Sequence, residues 1–60
     1  MTNLERLRRD AGMTQEALSV KSGVSRPIIV RIENGGINGV MVRTLRRLAD
    51  ALNVTVGELF

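Results

Sequence analysis

The strongest constraint on this chain is a stop-and-restart pattern that recurs along it. Apolar-periodic runs end at Gly12, Gly23, Asn34-Gly35 and Asn53, and after three of these stops an apolar residue precedes Ser or Thr: Met13-Thr14, Val24-Ser25 and Val54-Thr55. Gly and Asn enter the left-handed region at the lowest cost, which is how helices end. The hydroxyl can then cap the next helix while the apolar residue before it packs on the fourth helical position. Those fourth positions are Leu18, Ile29 and Leu59, which predicts hydrophobic staples at all three restarts. Thr55 with Glu58, and Thr2 with Glu5, have capping-box spacing. The pattern predicts an all-α fold, a compact bundle of five short helices.

Apolar spacing agrees with that division. Leu4, Leu7 and Ala11 share a face of helix one, and Met41 or Val42 leads Leu45, Leu48, Ala49 and Leu52 in helix four. Helix three offers Ile29 and Ile32 with Ile28 beside them, while in helix two Leu18 is flanked by Ser19 and Ser22 on the expected inner face. Helix five, Val56 to Phe60, is barely one turn, so its order must come from packing Leu59 and Phe60 on the rest. The stretch Gly35-Gly36-Ile37-Asn38-Gly39-Val40 is too rich in glycine for helix or strand. With neither repeat nor linker, residues 1–60 read as a single domain.

The residue inventory narrows the chemistry. There is no Cys for a disulfide or thiolate metal site, and no His to act as a general base. Ser19, Ser22 and Ser25 lack an activating partner, and Lys21 lacks an apolar pocket to depress its pKa. Asp10, Glu16, Glu33 and Asp50 are scattered over separate helices without metal-ligand spacing. The expectation is no enzyme, cofactor, metal or small-molecule substrate. No apolar run approaches the roughly 20 residues of a membrane span, and no signal layout opens the chain, so a cytoplasmic setting without a membrane partner is expected. Nine Lys+Arg face six Asp+Glu, and all the cations but Lys21 are Arg, the side chain that forks onto phosphate and guanine edges. Nucleic acid is the first partner to test, against the plainer reading of a solvated charged surface.

Function concentrates in Gln15 to Asn34, two helices around Gly23-Val24-Ser25. A helix-turn-helix has specific demands, and the sequence meets each of them. Ser19 is small where the helices cross, Gly23 tolerates positive φ, Val24 plugs the angle, and Ile29 and Ile32 bury one stripe of the second helix.

On these residues the chain resembles the phage-repressor and Cro-type, or xenobiotic-response-element-like, helix-turn-helix domains. The resemblance runs from Leu4 to Phe60. It is carried by Leu7-Arg8, Gly12-Met13-Thr14-Gln15, Leu18, Gly23-Val24-Ser25-Arg26, Ile29, Arg31-Ile32-Glu33-Asn34-Gly35, Leu45, Leu48-Ala49, Ala51-Leu52 and the closing Val54 to Phe60. It implies a lambda-repressor-like domain whose third helix enters the DNA major groove, usually as a dimer on a two-fold site. By resemblance, Arg26, Pro27, Val30 and Arg31 face base edges. Gln15, Ile28, Asn34, Asn38 and Arg43 lie along the phosphate backbone, and Arg8 with Glu33 forms a structural salt bridge. Leu59 and Phe60 are the candidate surface of a weak homodimer, one that DNA itself could induce.

The chain also departs from the family pattern. Pro27 stands where a polar reader is usual, and it biases Arg26 away from helical angles, which would start helix three a residue late. Ile28 and Val30 are apolar; thymine methyl groups could accept them. The leading expectation is a repressor on a palindromic operator. The alternative is an interaction or antitoxin-type module whose apolar Pro27, Ile28 and Val30 surface meets a protein.

Overall fold

The computed structural model describes residues 3–60, so Thr2 and its expected box with Glu5 lie outside the described residues. Four α-helices follow one another: α1 (Asn3–Asp10), α2 (Gln15–Ser22), α3 (Arg26–Glu33) and α4 (Val42–Leu52). The expected fifth helix is instead a 3-10 turn over Val56–Leu59. So short a segment cannot sustain an α-helical ladder; Glu58 N–H bonds the Thr55 carbonyl and Phe60 N–H the Gly57 carbonyl, each three residues back. The Thr55–Glu58 capping box forms, with the Glu58 carboxylate accepting the Thr55 N–H at 2.6 Å.

The helix stops fall where the glycines and Asn53 predict. Three of them share one arrangement, the Schellman motif. Gly12, Gly35 and Asn53 are left-handed, and each bonds the carbonyl three residues back. The next residue (Met13, Gly36 or Val54) bonds the carbonyl five residues back, those of Arg8, Arg31 and Ala49. The α2 stop differs. Gly23 N–H reaches the Ser19 carbonyl at 2.9 Å, and side chains complete the turn. Ser22 Oγ donates to the Leu18 carbonyl and accepts from Val24 N–H, while Ser19 Oγ donates to the Val24 carbonyl.

Restarts obey the staple logic more fully than the capping logic. Leu18, Ile29 and Leu59 are completely buried; Val24 is in the core, and Met13 and Val54 pack against it. Thr14 Oγ1 accepts the Ala17 N–H at 3.0 Å, a side-chain cap. Ser25 makes no such bond. One N–H that its hydroxyl would cap belongs to residue 27, a proline with none to give; those of Ile28 and Ile29 go to the Ser25 carbonyl. Nor does Pro27 delay α3, because the extended angles fall on Ser25 (φ −64°, ψ 147°) and the helix begins at Arg26.

The core unites Leu4, Leu18, Val24, Ile29, Ile32, Leu45, Leu48, Ala49, Ala51 and Leu59. α2 packs on α3 and α4, α1 packs on α3, and the 3-10 turn closes against α1 and α4. Three positions expected to pack are outside it, and one of them is Phe60, which is 64% exposed. Ala11 lies exposed beyond the end of α1, where Arg8 has turned inward instead. Met41 and Val42 are exposed at the start of α4, and Val40 packs on the core in their place.

Candidate nucleic-acid interface

α3 is fixed to the rest of the molecule at both ends. At its start, the serine-stitched turn sets its angle to α2. At its end, Glu33 is buried and accepts Arg8 Nε at 2.7 Å and Arg8 Nη2 at 3.1 Å. Arg8 Nη1 donates to the Met13 carbonyl at 2.7 Å, and Gln15 Nε2 donates to the free side of Glu33 Oε1 at 3.1 Å. The hydrogen bond that Arg8 donates to Glu33 raises the Arg8 pKa above its ordinary value, outweighing the opposing effect of burial. The pair inferred by resemblance is therefore a buried, bidentate ion pair in which every Arg8 nitrogen is engaged.

With Ile29, Ile32 and Glu33 turned inward, the opposite side of α3 is left to solvent. Arg26, Pro27, Val30 and Arg31 fall within an arc of about 140° at 3.6 residues per turn. Arg26, Pro27 and Arg31 are exposed and Val30 is half-buried; Asn34 continues the same face. Ile28, at the edge of the buried stripe, is 37% exposed. The readers inferred from resemblance are thus brought together, although Val30 offers only part of its surface.

The inferred phosphate contacts divide into two groups. Gln15 is at the first turn of α2, in an open groove that it shares with Arg9, Thr14, Glu16 and Arg26. The N–H groups of Gln15 and Glu16 have no bonding partner among the described residues. Unpaired N–H groups and the positive end of the helix favour an anion there, while Glu16 and Glu5, which also line the groove, oppose one. Gln15 also has a second role that its resemblance-based assignment missed, because its amide is held by Glu33. Asn34, Asn38 and Arg43 are exposed around the connection from α3 to α4. The Asn38 carbonyl accepts Arg31 Nη2 at 3.1 Å, so the loop and the reading face are joined.

Leu59 corrects an expectation. It is completely buried and cannot form part of a dimer surface, whereas Phe60 remains 64% exposed. The staple with Val54 explains this: the fourth position after a cap points at the core. Ser22 was missed as a builder of the interface. Its signal was present, a serine four residues after Leu18, the spacing at which a hydroxyl returns to the helix carbonyl. Among the described residues no three acidic side chains gather to hold a metal ion, and no helix is long and apolar enough to cross a membrane.

A helix-turn-helix family model matches residues 4–59. An uncharacterized HTH-type transcriptional regulator, y4dJ, from Sinorhizobium fredii is 41% identical over 58 residues, covering 97% of this chain and 74% of that protein. Another uncharacterized HTH-type transcriptional regulator, from Archaeoglobus fulgidus, is 37% identical over 59 residues, covering 98% of this chain and 83% of that protein. No solved structure gives a significant match. The family match over nearly the whole chain coincides with a stitched α2–α3 turn and an outward-facing α3, and the chain belongs to the Cro/repressor-type, xenobiotic-response-element-like helix-turn-helix family, whose members are DNA-binding regulators and not enzymes.

Proposed function

We propose that this protein is a sequence-specific, double-stranded DNA-binding transcriptional regulator, a repressor that places α3 in the major groove of a palindromic operator. The observation that carries this reading is the outward arc of exposed Arg26, Pro27 and Arg31, with half-buried Val30 among them, on a helix fixed at both ends. A rigid helix places its side chains against base edges without first losing backbone freedom. Arg is the commonest partner of guanine in the major groove, and the apolar Ile28 and Val30 suit thymine methyl groups. The groove beside Gln15 and the exposed Asn34 and Arg43 take phosphates on either side.

One copy reads few base pairs, so selectivity calls for two half-sites about one helical turn apart. The exposed Phe60 is the apolar side chain proposed for a weak contact between copies, formed on DNA.

Selection from a random duplex pool, with the enriched sequences titrated at two salt concentrations, tests the proposal. A palindrome with half-sites about ten base pairs apart is expected. Neutralising four phosphates gives a logarithmic salt slope of about −3.6. Arg26→Ala and Arg31→Ala should each weaken binding while circular dichroism stays unchanged. If neither matters, the DNA reading of α3 fails, and the apolar surface of Pro27, Ile28 and Val30 becomes the candidate contact for a protein partner.

A further inference from the structure

The connection from α3 to α4 contains glycines of two kinds. Gly35 (φ +94°) and Gly39 (φ +82°) are left-handed, which is reason enough for glycine. Gly36 is not in that region. A methyl group added there would lie 2.8 Å from Arg31 Cγ and 3.0 Å from the Arg31 carbonyl oxygen. Gly36 thus makes room for the Arg31 side chain, which crosses its bare backbone. Gly36 N–H also bonds the Arg31 carbonyl at 2.9 Å. At the far end of the side chain, Nη2 donates to the Asn38 carbonyl and lies 3.6 Å from where a side chain on Gly39 would begin. Stem, carbonyl and guanidinium of one arginine are all held by one short loop.

We propose that this loop is a cradle that pre-orients Arg31 for base recognition, and that Gly36 determines DNA specificity without touching DNA. The inference rests on the DNA-binding reading above. A guanidinium has more N–H donors than one carbonyl can accept, so the bond to Asn38 leaves the rest for a base edge. An exposed arginine ordinarily loses several rotatable bonds' worth of freedom when it docks. Here the cradle bears that loss before DNA arrives, and it directs the fork to one position in the groove.

The test compares the unsubstituted chain, Gly36→Ala, Arg31→Ala and the double variant. Each is titrated against the selected duplex and against duplexes with one base pair changed. Arg31→Ala should lose about tenfold discrimination at a single base pair per half-site. Gly36→Ala should lose most of the same discrimination at the same base pair, and adding it to Arg31→Ala should remove little more. Arg31→Lys, which leaves glycine in the loop, should keep affinity yet lose the discrimination. In the free, unsubstituted protein, NMR relaxation of Arg31 Nε–Hε should report a side chain nearly as ordered as the backbone. A folded Gly36→Ala that keeps full discrimination, or an Arg31 as mobile as Arg46, overturns the cradle. If the unsubstituted chain binds no duplex at low salt, the proposed function fails and this inference fails with it.

Discussion

Arg8 and Arg31 occupy the same place in two helix endings. Each is the residue whose carbonyl accepts an N–H from five positions on, Met13 in one case and Gly36 in the other. Each also sends a guanidinium N–H to a carbonyl of the chain that follows, Met13 for Arg8 and Asn38 for Arg31. They differ in what faces them. Arg8 points inward at Glu33 and is 7% exposed, with every nitrogen engaged. Arg31 points outward over a glycine, with most of its donors unused. The same backbone ending therefore carries a structural cation on one side of α3 and a proposed reading cation on the other. Tertiary context decides the role: a carboxylate across the core in one case, a bare backbone and solvent in the other.

That contrast can be broken most severely at the buried pair. Glu33→Ala strands the Arg8 charge and should cost about 3–5 kcal/mol in denaturant unfolding. A loss under about 1 kcal/mol would put Arg8 on a par with a surface cation. Arg31→Ala should by comparison leave unfolding within about 0.5 kcal/mol and act on DNA binding alone. The next test sharpens the likeness of the two endings. Gly12→Ala and Gly35→Ala each force an L residue into the left-handed region, which should cost about 1–2 kcal/mol apiece. A much smaller cost at Gly35 would show that the α3–α4 loop yields where the α1–α2 turn does not. The smallest effects concern the two helix starts. Thr14→Ala should cost about 1 kcal/mol by removing a cap, whereas Ser25→Ala, whose hydroxyl caps nothing, should stay within about 0.5 kcal/mol.

Local signals in the sequence were enough for most of this architecture. Stops at Gly12, Gly23, Gly35 and Asn53 need only a residue's own φ preference, and staples need only a four-residue spacing, so both are readable without a fold. The Arg8–Glu33 pair spans 25 positions and became visible only through resemblance to a family. Where two local rules competed, reading one of them misled. Ser25 looks like a cap until Pro27 removes one N–H it would cap, and Leu59 reads both as a staple and as dimer surface until its complete burial selects the staple. Gly36 was illegible for a different reason. In a loop of several glycines nothing in the sequence separates one chosen for φ from one chosen to let a side chain pass.

The most direct measurement is an NMR titration of the unsubstituted protein with its selected duplex. The largest shifts should fall on Arg26, Val30 and Arg31 along α3, with a second set on the Gln15 and Glu16 amides at the start of α2. Arg8 Nε and the Glu33 amide should hardly move. Shifts confined to Phe60 and the outer face of α4, with α3 silent, would contradict the assignment of α3 as the DNA-reading element.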